Sequence, residues 1–185
     1  LFFQSESIFF VNLRKAEEKI LDEFPKIAEV SLSKNYPDSI VIFVKERKPV
    51  AVFEQEGSYF FLDEKGIVFE KISGKDNWLV IKEKNQKREI DFGSNLIDEE
   101  KMEKILIASE ELSSSKIGID FIDIVNYYRF NVKTNEGWEI YFNSDGDIEQ
   151  QALNLTLVLE KEISPERREN LEYVDLRFGN QVYYK

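Results

Sequence analysis

Apolar residues recur at Leu13, Ala16, Ile20, Leu21 and Phe24, the spacing of one face of a helix. Asn12 is placed to cap that helix and Pro25 to stop it. Ile8, Phe9 and Phe10 precede the cap and are expected to pack back on the same face. The period then changes. Val30 and Leu32 begin an extended segment, Tyr36-Pro37-Asp38-Ser39 reads as a turn, and Ile40 to Val44 reads as a strand covered on at least one side.

From Pro49 the texture is mostly β. Val50 to Phe53 and Tyr59 to Leu62 predict a hairpin across a turn at Gln55 to Gly57. Asp63-Glu64-Lys65-Gly66 predicts a second turn, followed by strands at Ile67 to Phe69 and Trp78 to Ile81. Asp98 is placed to cap a helix from Glu99 to about Leu112, with Met102, Ile105, Leu106, Ser109 and Leu112 inward. Strands follow near Ile117 to Ile124, Tyr127 to Lys133 and Trp138 to Asn143. A helix from about Ile148 to Glu162 carries the stripe Ile148, Ala152, Leu155 and Leu159. The chain closes on Tyr173 to Phe178, a Gly179-Asn180 break, and Val182 to Tyr184. The fold class is α+β, as helix, strand, strand and then a mainly antiparallel β domain with two helices.

Composition narrows the function. The 185 residues are 42% apolar, enough for real cores in one domain or two small ones. The net charge of −11 argues against nucleic acid and anionic membrane surfaces as partners. There is no Cys and no His, which excludes thiolate sites and Ser-His-Asp or Cys-His catalysis. No apolar run approaches the roughly 20 residues that span a bilayer. The chain begins at Leu1, and is read as a fragment of a longer protein. Asn143, Asp145, Asp147 and Glu149 alternate like the start of a Ca²⁺ loop, but Asn154 stands where a bidentate Glu closes such loops. A strand-to-helix turn accounts for them, and no metal, cofactor or enzymatic activity is expected.

Three motifs carry a resemblance. Pro25-Lys26-Ile27-Ala28-Glu29-Val30 fits Pro-x-[VI]-x-x-[VA]. Tyr36-Pro37-Asp38-Ser39-Ile40-Val41-Ile42-Phe43-Val44 fits aromatic-Pro-[DN]-[ST]-[LI]-x-[IV]-x-[VI]. Glu46-Arg47-Lys48-Pro49-Val50-Ala51 fits Glu-Arg-x-Pro-[VI]-Ala. In this the chain resembles the bacterial division proteins FtsQ and DivIB, in which a POTRA module is joined to a β domain. Asp63 and Gly66 match that family's Asp-x-x-Gly element. The resemblance implies a POTRA module over 1–48, with its N-terminal strand and helix missing or truncated to a remnant near Leu1-Phe2-Phe3, and a β domain over 49–185.

The same resemblance implies a non-enzymatic scaffold of the divisome. A single transmembrane helix, absent from this chain, would anchor it in the plasma membrane with this part on the extracytoplasmic face. Its partners would be FtsB/DivIC-like and FtsL-like proteins, and it would help control septal peptidoglycan synthesis. Val174-Asp175-Leu176-Arg177-Phe178 matches the family's closing [VI]-Asp-[LM]-Arg-aromatic strand, whose exposed edge receives a partner strand. The expected contact residues are Arg177, Phe178, Asn180, Gln181, Val182 and Tyr183, with Arg177 equally able to form an internal ion pair. Gln150 and Gln151 stand where the family often has Lys or Arg, so no charged contact carries over there. The rival reading is a POTRA-bearing module of an outer-membrane assembly or secretion system; the mixed β domain after Ala51 argues against it.

Overall fold

The computed structural model describes residues 8–83 and 87–185. The remnant expected near Leu1-Phe2-Phe3 lies outside the described residues. Helix α1 spans Leu13–Glu23. The Asn12 side chain starts it by accepting the Lys15 N–H at 3.1 Å. Pro25 follows, and the chain turns into strand β1, Ile27–Asn35, and strand β2, Ser39–Glu46, paired antiparallel across a cis Tyr36-Pro37 bond. Ala16, Ile20 and Leu32 are the buried centre of this small unit, with Leu13, Val30 and Ile40 packed around them.

Two expectations fail here. Strand β2 is not covered: Val41, Ile42, Phe43 and Val44 are 45–62% exposed. The reason is geometric, because α1 packs on β1. Nor do Phe9 and Phe10 return to the helix. They are 65% and 82% exposed, and Phe9 stacks instead on Tyr36 at 5.5 Å. Leu21 and Phe24, at the edge of the helical stripe, are also largely open.

The remaining strands form one sheet. They are β3 (Ala51–Gln55), β4 (Ser58–Leu62), β5 (Val68–Ile72), β6 (Val80–Glu83), β7 (Ile119–Asn126), β8 (Arg129–Thr134), β9 (Glu139–Asn143), β10 (Tyr173–Phe178) and β11 (Gln181–Tyr184). Their order is β11-β10-β9-β8-β7-β6-β3-β4-β5. Most neighbours are antiparallel, whereas β3–β6, β6–β7 and β9–β10 are parallel. The long connections these parallel pairs need are supplied in two cases by helices. Helix α2, Glu99–Ser114, lies between β6 and β7, and α3, Ile148–Lys161, between β9 and β10. A one-turn helix α4, Pro165–Arg168, follows α3 and was not expected.

Both long helices pack on the same face of the sheet. On that face one register row crosses eight strands: Phe60, Phe53, Ile81, Ile122, Val132, Ile140, Val174 and Tyr184. Every member except Tyr184 is buried. Met102, Ile105, Ala108 and Leu112 of α2 and Ile148, Leu155 and Leu159 of α3 close over it. Each such side chain is worth about 1.5–3 kcal/mol, so the large sheet carries most of the stability. Leu106 and Ser109 turn out to be only half-buried; Lys101 and Ala108 occupy the inward positions instead.

Candidate functional site

The two ends of the large sheet differ. Along the outer side of β5, Val68 donates to Ser94 O at 3.1 Å and accepts from Gly93 N–H at 2.7 Å, and Ile67 bridges to Asn95. The start of that edge is occupied by the chain itself. At the other end, β11 has no neighbour beyond β10 among the described residues. An edge of this kind presents unpaired backbone donors and acceptors.

Which groups it presents follows from the ladder. Lys185 N–H donates to Tyr173 O at 3.2 Å, and Lys185 O accepts from Tyr173 N–H, so Lys185 turns its backbone inward toward β10. Backbone direction alternates along a strand. Tyr183 and Gln181 therefore also face inward, in register with Asp175 and Phe178. Val182 and Tyr184 aim their N–H and C=O groups outward. The resemblance matches the family's closing strand to Val174–Phe178, with expected contacts running on to Tyr183. The structure puts that segment, β10, inside the sheet between β9 and β11. The two-residue Gly179-Asn180 turn, with Gly179 at φ 66°, folds the chain back so that β11 becomes the edge.

The side chains around this edge divide by face. Val182 packs on the main core, and the Tyr184 hydroxyl donates to Glu162 Oε2 at 3.1 Å. On the helix side, Leu153 and Leu157 of α3 are 51% and 38% exposed. Phe178 and Tyr183 are 55% and 51% exposed and meet edge to face at 5.2 Å. Asn180 and Gln181 are exposed, and Gln181 accepts a hydrogen bond from the Tyr183 hydroxyl at 3.0 Å.

Arg177 points to the open face and is committed internally. Its Nε and Nη2 donate to the two Asp175 carboxylate oxygens at 2.8 and 2.6 Å. Burial pushes the Asp175 carboxyl up. Hydrogen bonds from the Arg177 side chain and backbone, with the charges of Arg177 and Arg129, outweigh it and hold the group below its usual range. Arg129 also lies 4.2 Å from the Tyr141 ring, which stacks on Tyr173 at 5.1 Å. This ladder links β8, β9 and β10 behind the edge.

A second constellation joins the motif residues of the N-terminal half. Arg47 Nε donates to Pro25 O at 2.9 Å, and its Nη1 donates to Asp63 Oδ2 at 2.6 Å. The two side chains are only 12% and 7% exposed. Asp63 Oδ1 accepts from Lys65 and Ile67 N–H at 3.0 and 2.9 Å, which closes the turn. Gly66, at φ 75°, has its carbonyl against Leu96 and Ile97 N–H at 3.0 and 3.2 Å. A Cβ there would sit 2.1 Å from Ile97 O, so no side chain fits. Glu46 is exposed, Pro49 half-buried, and Tyr36 and Pro37 lie exposed at the hairpin tip. Beside the joint is an open groove of about 560 Å³ lined by Phe24, Pro25, Ile27, Val44, Phe69 and Phe92 among others.

The acidic cluster at Asn143 to Glu149 does backbone work. Asn143 Oδ1 accepts from Asp145 N–H at 3.0 Å and Asp147 caps α3 at Gln150 N–H, 2.9 Å. The buried Gln151 amide clamps Asn143 through both its N–H and C=O. Among the described residues no three His, Cys, Asp or Glu side chains gather to hold a metal. One buried cation had no signal in the sequence. Lys101 Nζ donates to Asn126 O and Ser144 Oγ at 3.0 Å each and to Tyr127 O. Burial lowers its pKa.

Comparison with known proteins gives these features a family. Residues 4–47 match the model of the FtsQ-type POTRA domain. Residues 51–177 match the model described as cell division protein FtsQ/DivIB, C-terminal. The chain belongs to the FtsQ/DivIB family. Among curated relatives, it is 32% identical over 65 residues to the cell division protein FtsQ of Streptomyces bingchenggensis, covering 35% of this chain and 24% of that protein. It is 34% identical over 67 residues to the cell division protein DivIB of Clostridium acetobutylicum, covering 36% and 26%. An alignment of 186 positions to the DivIB of Clostridium tetani is 23% identical and covers 96% of this chain and 68% of that protein. The matched stretch thus spans about a quarter of the length of the first two relatives. The FtsQ/DivIB motifs meet in space at the joint: Pro25, Arg47 and the Asp63–Gly66 turn, from three separate stretches of sequence, form one hydrogen-bonded chain.

Proposed function

We propose that this FtsQ/DivIB chain is a non-enzymatic scaffold of the divisome. It receives a strand from FtsB/DivIC-like and FtsL-like partners at the outer edge of β11 and in this way helps control septal peptidoglycan synthesis. The observation that carries the reading is the outward-facing backbone of Val182 and Tyr184 at an edge that nothing in the described chain occupies. Main-chain pairing at such an edge supplies affinity, while neighbouring side chains set register. Phe178, Asn180, Gln181, Val182 and Tyr183 fall at or beside the edge. Arg177 backs it through Asp175 and offers a partner little free charge. The chain divides into an N-terminal module over 1–48 and a β domain over 49–185, a reading supported by two separate buried clusters and two separate sheets.

No helix among the described residues is long and apolar enough to cross a membrane. On this reading the domain works on the extracytoplasmic face of the plasma membrane. The test is calorimetric titration of an FtsB/DivIC-like ectodomain into this chain. Saturable one-to-one binding is expected, with slowed amide exchange at Val182 and Tyr184. Binding that protects another surface and leaves β11 unchanged refutes the reading.

A further inference from the structure

We propose that Arg47 is a lock that fixes the N-terminal helix and hairpin to the large sheet as one rigid body. The inference rests on the division into two units near Pro49. The donors of one guanidinium are shared between the units: Nε serves Pro25 O, just past α1, and Nη1 serves Asp63 in the turn that follows β4. The Arg47 backbone N–H adds a bond to Lys26 O at 2.8 Å. A guanidinium is planar and its donors are fixed in direction, so it sets an angle as well as a distance.

Burial is what makes this contact a lock. The exposed Lys26–Glu70 pair also spans the two units, at 2.7 Å, but its side chains are 62% and 35% exposed. Water screens and replaces a pair of that kind at little cost. The Arg47–Asp63 pair is nearly closed to water, so a small relative rotation that separates the partners strands two buried charges. Intermediate tilts are therefore disfavoured, and the joint is either seated or fully open.

The seated state is also keyed to the helix layer. Asp63 closes the turn that contains Gly66, and the Gly66 carbonyl takes the N–H groups of Leu96 and Ile97. The next residue is Asp98, the N-cap of α2. Pro25, Arg47, Asp63, Gly66 and Ile97 thus form one continuous chain of hydrogen bonds that ends one residue before the cap of α2.

The absence of Cys allows a clean test. Spin labels are placed through Lys15→Cys on α1 and Glu110→Cys on α2, both exposed positions, and the distance distribution is measured by pulsed dipolar spectroscopy. The doubly labelled parent is expected to give one narrow peak. Arg47→Ala is expected to lose that peak to a broad distribution while circular dichroism stays unchanged. Should Arg47→Ala fail to fold, Asp63→Asn decides. Its amide oxygen still accepts from Lys65 and Ile67, while its amide nitrogen cannot accept from Arg47. A narrow peak that persists in the folded variants, or a broad distribution already present in the parent, overturns the lock. Partner binding at the far edge of the sheet is measured separately on the same proteins, so a failure of the docking reading leaves this readout untouched.

Discussion

Proline substitution along β11 separates docking from folding, because neighbouring residues there turn their backbones in opposite directions. Val182 faces outward and Tyr183 faces inward, opposite Asp175. Val182→Pro removes a donor that makes no bond to β10, and proline is tolerated on an edge strand whose N–H faces solvent. The expected loss of stability is about 1 kcal/mol or less. A docked partner strand, by contrast, loses the bond to that N–H and keeps an unpaired carbonyl in the interface, at a cost of about 1–3 kcal/mol. That is a roughly five- to 150-fold rise in Kd. Tyr183→Pro takes away a rung of the β10–β11 hairpin, and its main effect is on the fold, again about 1–3 kcal/mol. Titration of an FtsB/DivIC-like ectodomain reads affinity, and urea denaturation reads stability. Equal affinity in the parent and in folded Val182→Pro refutes the assignment of β11 as the docking edge. Identical behaviour of the two proline variants refutes the alternation derived from Lys185.

Three further outcomes are expected. Phe178→Ala removes an exposed aromatic beside the edge and weakens partner binding by about 1–3 kcal/mol with the urea midpoint unchanged; unchanged affinity removes it from the contact set. Gly66→Ala adds left-handed strain and a Cβ 2.1 Å from Ile97 O, so a loss of about 3 kcal/mol or more is expected from the urea midpoint. Asp175 has a folded pKa below its unfolded value, so its contribution is complete above the unfolded pKa of about 3.9 and is lost as pH falls through the folded value. Asp175→Asn should therefore lower stability at neutral pH and flatten its decline below about pH 4, as read by thermal melts across pH.

The helices and most strands are legible from local pattern because their causes are local. Asn12, Asp98 and Asp147 each cap the helix that follows within three residues, and the stripe of α3 is buried as its spacing predicts. The period says nothing of what covers a face. Ile40 to Val44 has the composition of a covered strand, and its cover depends on where α1 lies. The motif residues are visible in sequence, but their meeting is not. Arg47 and Asp63 are 16 positions apart with a turn and two strand segments between them. Which of the two closing segments lies outermost is hidden for a similar reason. The Gly179-Asn180 break reads as an interruption, and only the ladder reveals it as a reversal that buries β10. Lys101 sits on an apolar stripe and is buried by carbonyls from the β7–β8 turn, which no helical pattern encodes.

The register row from Phe60 to Tyr184 has a mechanical consequence. Strands in a sheet stand about 4.8 Å apart, so the eight spacings from β5 to β11 measure about 38 Å. Backbone hydrogen bonds join each strand to the next, and the helix layer braces one side, so the sheet acts as a ruler. Each step also twists by roughly 20–25°, which turns β11 through about half a revolution relative to β5. A strand added at β11 is thus held at a set reach and heading from the opposite rim, and whatever chain continues beyond it leaves in a direction chosen by the fold.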